Sequence, residues 1–397
     1  MQYRISDKMA VMKPSAIREI FKSLGTPGAI SFAAGNPAPE SFPVEAFAKI
    51  SADILSTNAV TALQYGTTEG YPKLRELIKK RISEKFSVGT DDDDTIITSG
   101  GQQAIELCCK ALCNEGDAVI CENPSFIGAL NAFRSNGART VGVPLDDDGI
   151  NIEALEETLK NEGDKAKILY VIPTFQNPGG ITTSLEKRKE IYALARKYDV
   201  VIIEDNPYGD LRFDGEDVPT IKSMDEDGRV VYCGSFSKIL SAGMRVGFAC
   251  ANKELLQKMV VAKQVEDVHT NMFFQMMCAE YMEKYDLDAH IETIRSLYRH
   301  KCHKMLECLD KYMPKEVKFT RPEGGLFLWC TLPSGIALSD FVNRAKEALV
   351  FVVPGTAFNC DESAPSDSFR LNYSMPSDEE IEKGVKILGD IIKDMLK

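Results

Sequence analysis

From about Thr95 to Cys250 the chain alternates short apolar runs with longer amphipathic segments. The runs are Thr95–Thr98, Ala118–Cys121, Ile168–Ile172, Val200–Glu204 and Val230–Cys233. Between them lie helical patterns such as Gln103–Cys113 and Leu185–Tyr198. Unbroken apolar runs of this length predict strands buried on both faces, hence a mainly parallel sheet with helical crossovers. From about Lys253 the pattern turns helical, through Glu280–Leu309. Lys315–Thr331 then reads as strands broken at Gly324-Gly325, and Asp378–Lys397 as a terminal helix. The expected fold is α/β, with helices on both faces of the sheet in a large domain over residues 59–293. Residues 1–58 and 294–397 are expected to form one smaller α+β domain from both chain ends. No internal repeat or low-complexity linker separates them.

Composition narrows the function. The chain has 397 residues, 44% of them hydrophobic, enough for a sizeable core. A net charge of −12 argues against nucleic acid as a partner. No apolar stretch reaches the length of a membrane span, and the N-terminus lacks the apolar core of a signal peptide. Eleven cysteines without a C-x-x-C pair predict reduced, buried thiols and a cytoplasmic protein. The aspartate runs at 91–94 and 146–148 lack the spacing of a calcium loop. His300 and His303 sit in a segment rich in Arg, Lys and Glu, which reads as a solvated helix face, so no metal is expected.

Ligands of open parallel sheets bind beyond the carboxyl ends of the strands, and the unusual polar residues fall there. After the first run comes Ser99-Gly100-Gly101-Gln102, a turn whose glycines admit an anion to a helix N-terminus; an ordinary tight turn is the bland alternative. After the second comes Phe126, a stacking face for a heteroaromatic ring or simply a core residue. After the third comes Asn177, a donor to a phenolate-type oxygen, fixed by Pro178-Gly179. After the fourth come Asp205 and Tyr208. A carboxylate at a buried strand end needs a cation, such as a protonated pyridine nitrogen, unless it caps a helix.

After the last run stands Ser235-Phe236-Ser237-Lys238, with Arg245 downstream. A lysine flanked by apolar residues either snorkels to the surface or forms a Schiff base with an aldehyde cofactor. The two serines and Arg245 would then hold that cofactor's phosphate.

The whole set resembles the class I/II aminotransferases, pyridoxal-phosphate enzymes of fold type I. The motifs that carry the likeness are Gly35-Asn36-Pro37, Leu63-Gln64-Tyr65-Gly66, Asn177-Pro178-Gly179, Asp205-Asn206-Pro207-Tyr208, Ser235-Phe236-Ser237-Lys238, Arg245-Val246-Gly247 and Phe369-Arg370-Leu371-Asn372-Tyr373. Within the family the chain looks most like the aminoadipate, kynurenine and aromatic subgroup. The resemblance implies a sheet of the seven-stranded type and pyridoxal 5'-phosphate as cofactor. It makes Lys238 the Schiff-base lysine, with Gly101, Gln102, Ser235, Ser237 and Arg245 at the phosphate. It sets Phe126 on the ring, Asn177 and Tyr208 at the ring oxygen and Asp205 at the ring nitrogen. Arg370 would grip the substrate's α-carboxylate, with Gly35 and Asn177 beside the substrate. Tyr65 resembles a tyrosine that reaches the neighbouring subunit's phosphate, which implies a homodimer with shared sites. Arg18 resembles a mobile arginine that meets the substrate side chain.

The expected reaction moves an amino group from an L-amino acid of aromatic, aminoadipate or aliphatic type to an oxo acid such as 2-oxoglutarate. Two other readings stay open. One is a β-lyase on the same scaffold. The other is a transcription regulator with an aminotransferase-like domain, which the acidic charge disfavours.

Overall fold

The computed structural model describes residues 3–10, 12 and 26–397. Its large sheet holds eight strands among these residues, in the order Asp93–Thr98, Gly247–Asn252, Val230–Ser235, Val201–Asp205, Ala166–Val171, Ala118–Asn123, Arg139–Asp146 and Gly149–Ile150. The five strands from Val230–Ser235 to Arg139–Asp146 run parallel. Strand Gly247–Asn252 pairs antiparallel with Val230–Ser235 and with Asp93–Thr98. Seven strands thus form the expected body. The eighth is a two-residue edge, Gly149–Ile150, paired antiparallel with Arg139–Asp146.

The apolar runs are buried as their lack of alternation implied: Ile168, Leu169, Tyr170 and Val171 are all wholly covered. Helices cover the sheet, among them Gly101–Leu112, which packs on Ile127–Ser135 and Lys253–Glu266. The chain leaves strand Ala118–Asn123 toward one edge and resumes at Ala166–Val171 on the other side. That reversal puts Glu122–Phe126 and Pro173–Asn177 at the place where open sheets take their ligands.

A second sheet is antiparallel, in the order Lys318–Phe319, Phe327–Thr331, Ser368–Asn372 and Val353–Pro354. Ile30–Ser31 pairs in parallel with Val350–Phe351, which ties the early chain to the late chain. The long helical stretch foreseen around 280–309 is two helices, Met272–Lys284 and Leu287–Tyr312. The break comes at Asp286, whose side chain accepts from the Ala289 backbone N–H and starts the second helix. The terminal helix Asp378–Met395 opens on a capping box of Ser377 and Glu380, and packs on Leu287–Tyr312.

Candidate active site

Lys238 lies in the turn just after strand Val230–Ser235 and is partly buried. Its Nζ donates to the Gly35 carbonyl at 2.7 Å, which brings the Gly35-Asn36-Pro37 segment to the strand ends. Burial, with Arg370 and Arg245 nearby, lowers the Lys238 ammonium to about 8. A fraction of the amine is therefore neutral and nucleophilic near neutral pH.

Asp205 ends its strand 4% exposed, and burial raises its carboxyl to about 7. The Tyr170 hydroxyl donates to Oδ2 at 2.7 Å and opposes that rise. Among the described residues no lysine or arginine forms an ion pair with Asp205. Nor does it cap a helix: Tyr208, not Asp205, precedes the short 3-10 turn Gly209–Leu211. The carboxylate is thus a buried acid with no cation in place. Its neighbour across the sheet, Glu122, is also raised to about 7 by burial, though it accepts from the Ile172 N–H and Gln176 Nε2.

The turn Ser99-Gly100-Gly101 makes an anion cradle. Gly100 has φ +81°, and a Cβ there would lie 2.2 Å from Arg245 Nη2. Gly247 matters equally, because a Cβ would come within 2.6 Å of the Gly100 backbone. Helix Gly101–Leu112 starts without a side-chain cap, so its first N–H groups face the cradle. Arg245, itself at φ +53°, donates to the Ser99 carbonyl at 3.2 Å and to Ser237 Oγ at 3.5 Å. Ser235 Oγ and Ser237 Oγ are 2.8 Å apart. The Gln102 side chain turns away and donates to the Gly128 carbonyl at 2.7 Å, which leaves its backbone N–H for the cradle. Phe126, half-buried, precedes helix Ile127–Ser135, its ring against Gly128.

At the other end Arg370 is 2% exposed, between the rings of Phe327 and Phe358 at 4.1 and 4.9 Å. Nη1 donates to Asn177 Oδ1 and Nη2 to the Ala33 carbonyl, both at 2.8 Å. Nε has no partner. No carboxylate pairs with this guanidinium among the described residues, and burial lowers it to about 10. Tyr208 stands edge-on to Phe327 at 5.9 Å, its hydroxyl pushed above the ordinary range by burial. Since Asn177 Oδ1 accepts from Arg370, its amide is the donor end, and it faces the Tyr208 hydroxyl.

Tyr65 stands apart, 81% exposed, with its ring edge-on to His269 at 5.8 Å. Arg18 lies outside the described residues. His300 and His303 bond to Asp378 and Asp214 respectively, at 2.7 Å each.

An uncapped helix end with an arginine, a lone buried acid, a lysine that loses its proton readily and a stacking ring are what a phosphorylated pyridine aldehyde needs. The profile of aminotransferase class I and II matches residues 27–388. The chain belongs to that family. It is 43% identical over 395 residues to an aromatic-amino-acid aminotransferase of Thermococcus litoralis, covering 99% of this chain and 94% of that one. It is 41% identical to the 2-aminoadipate transaminase of Thermus thermophilus, covering 97% and 95%. Among solved structures, the Pyrococcus horikoshii kynurenine aminotransferase, in complex with PMP, superposes with a TM-score of 0.95 at 41% identity, over 99% of this chain and 98% of that one. The protein is an amino-acid aminotransferase, and its cofactor is pyridoxal phosphate. All three relatives are named for transamination, which does not favour a lyase or a regulator.

Sequence reasoning missed Tyr170, Phe327 and Phe358. Tyr170 left a trace, because a tyrosine inside an otherwise apolar buried run must find a partner for its hydroxyl. Phe327 follows Gly324-Gly325 and touches Gly35, Tyr208 and Arg370 alike, yet in the chain it looks like any strand residue.

Proposed function

We propose that the chain moves the amino group of aromatic and 2-aminoadipate-type L-amino acids to 2-oxoglutarate, using the residues just described. The observation that carries this reading is Arg370, a buried cation without a counter-ion whose Nε is unpartnered. An α-carboxylate would complete it through a bidentate pair. The aromatic rings around it, Phe327, Phe358 and Tyr208, suit an aromatic donor. The names of the relatives point to the same donors.

In this reading the cofactor's phosphate rests on the N–H groups of Gly101 and Gln102, the hydroxyls of Ser235 and Ser237, and Arg245. Phe126 stacks on the ring, Asn177 and Tyr208 hold its oxygen, and Asp205 holds the proton on its nitrogen. Bound pyridoxal phosphate supplies an electron sink for bond breaking at the amino acid's α-carbon. Lys238 does the proton work: its neutral Nζ, 2.7 Å from the Gly35 carbonyl, takes the proton from the α-carbon. Arg370 and Asn177 fix the carboxylate so that the Cα–H bond points at Nζ. Gly35 lies where a larger residue would meet Phe327 and crowd the substrate.

Tyr65 is proposed to reach the cofactor phosphate of a second copy. Its exposure, and the exposed Leu63 and Val60 beside it, support a homodimer. The division into a large body over 59–293 and a small one from 1–58 and 294–397 is proposed as the frame that closes on substrate. Arg18 is proposed as the reader of acidic side chains. Eleven free thiols support a cytoplasmic setting, and no helix among the described residues is long and apolar enough to cross a membrane.

The test is a panel of amino acids mixed singly with the cofactor-loaded enzyme, followed by spectral change in the half-reaction. Fast change with phenylalanine, tyrosine, kynurenine and 2-aminoadipate is expected, with 2-oxoglutarate restoring the start. Change with aliphatic donors alone would overturn the substrate assignment.

A further inference from the structure

Among the described residues Lys263 is the most deeply buried lysine outside the site: its side chain is fully covered. It sits near the end of helix Lys253–Glu266 and has three partner residues. Nζ donates to Asp267 Oδ1 and Oδ2 at 2.8 and 2.9 Å, to Gln103 Oε1 at 2.8 Å and to Thr270 Oγ1 at 3.0 Å. Gln103 Nε2 closes the ring by donating to Asp267 Oδ2 at 2.9 Å. Lys263 is fully covered while Asp267 keeps 28% of its side chain exposed, and burying an ammonium this way is a poor source of stability, because its desolvation offsets much of the attraction. Its position asks for another reason.

The network converges on Ser99, the residue just before the Gly100-Gly101 cradle. The Ser99 N–H donates to Gln103 Oε1 at 2.8 Å, and Ser99 Oγ donates to Asp267 Oδ2 at 2.8 Å. The Ser99 carbonyl accepts from Arg245 Nη2. Every polar group of this residue is therefore held. Its carbonyl sets where Arg245 lies, and its peptide plane sets how the chain enters Gly100 at φ +81° and opens the helix. Both halves of the cradle, the helix N–H groups and the guanidinium, hang on one fixed residue.

We infer that Lys263, through Asp267 and Gln103, is a positioning residue that locks Ser99 and so sets the geometry of the phosphate cradle. The inference rests on the reading that this turn holds the cofactor's phosphate. Lys263 touches no reacting atom. Its effect should fall on the phosphate end and leave the aldehyde end, at Lys238, alone.

The experiment compares two aldehydes on cofactor-free protein: pyridoxal 5'-phosphate and pyridoxal, which lacks the phosphate. Each is titrated while absorbance reports the adduct at Lys238. Lys263→Met should weaken pyridoxal 5'-phosphate by about tenfold or more, as loss of a supporting contact does elsewhere, and leave pyridoxal within about twofold. Should Lys263→Met fail to fold, Ser99→Ala decides alone. It removes the hydroxyl links to Asp267 and Thr270 and leaves the backbone of Ser99 in place, and a selective loss of severalfold for the phosphorylated aldehyde is expected. Equal loss for both aldehydes, or no loss for either, overturns the inference. Arg245→Ala separates the two levels. If it too fails to discriminate, the phosphate reading of the turn falls and takes the inference with it. If it discriminates while the Lys263 and Ser99 variants do not, only the positioning role falls.

Discussion

Tyr170 donates its hydroxyl to Asp205 Oδ2 at 2.7 Å, and the two side chains are buried together, the tyrosine ring edge-on to Phe133. The contact occupies one carboxylate oxygen and leaves the other for the proposed pairing with the ring nitrogen. It also stabilises the charged form of an acid that burial would neutralise. Tyr170→Phe removes the donor and little else. A hydrogen bond to a charged group contributes about 1.5–3 kcal/mol, so kcat should fall by about ten- to a hundredfold with KM nearly constant. The acidic limb of the pH profile of kcat/KM should move upward, because Asp205 would then ionise at higher pH. A profile that does not move, with only a lower melting temperature, would assign Tyr170 to packing alone.

Asp205 also makes stability depend on pH in the cofactor-free protein. Its folded-state value, about 7, lies above the ordinary 3.8. The folded state therefore holds the proton more tightly than the unfolded state. The resulting stability is fully present below about pH 4 and is lost as pH rises through 7, an effect on the order of a few kcal/mol. Melting curves of cofactor-free protein should fall more steeply between pH 4 and 7 in the natural chain than in Asp205→Asn. Glu122 titrates in the same window and stays in both proteins, but the charge on Asp205 is part of what raises it, so the difference reports Asp205 together with its coupling to Glu122. Parallel curves would mean that Asp205 is not held in its neutral form.

Much of this site was legible because two patterns coincide. Unbroken apolar runs marked the buried strands, and unusual polar residues cluster just beyond their ends, where such sheets take ligands. That singled out Asp205, Asn177 and Lys238 as candidates. Tyr170 was not, since its partner lies on the neighbouring strand and its register is unknown before folding. The sandwich of Arg370 was invisible for a similar reason. Phe327 comes from one strand and Phe358 from a 3-10 turn, and only the second sheet brings them to the same guanidinium. The eighth strand escaped because two residues carry no periodicity.

Lys238 offers a titration that needs no turnover. Burial lowers it to about 8 first of all, and the charge on Arg370 adds to that. Arg370→Gln keeps the burial and removes the charge. The pH at which cofactor-free protein half-reacts with pyridoxal 5'-phosphate should therefore rise, but only part of the way toward the ordinary lysine value. The measurement is the association rate against pH for both proteins. An unchanged midpoint would show that Arg370 is too far away, or too screened, to act on the lysine.

The carboxylate end separates two kinds of loss. With Arg370 in its proposed role, Arg370→Ala leaves the substrate's carboxylate without its partner in a buried site, which costs about 3–5 kcal/mol, or about two to nearly four decades. That loss should appear as a higher KM for every amino and oxo acid alike. Phe327→Leu keeps the guanidinium and removes one face of its sandwich, 4.1 Å away. A cation–π contact contributes about 0.5–2 kcal/mol, so KM should rise by about two- to thirtyfold, again across all substrates. Arg18→Ala should weaken acidic substrates such as 2-aminoadipate and 2-oxoglutarate and leave aromatic donors nearly untouched. The deciding measurement is kcat/KM for one acidic and one aromatic donor in all three variants, with cofactor affinity as a control. A Phe327→Leu loss confined to aromatic donors would make that ring a wall of the side-chain pocket instead of a support for Arg370. An equal loss on both donors in Arg18→Ala would remove that arginine from the pocket.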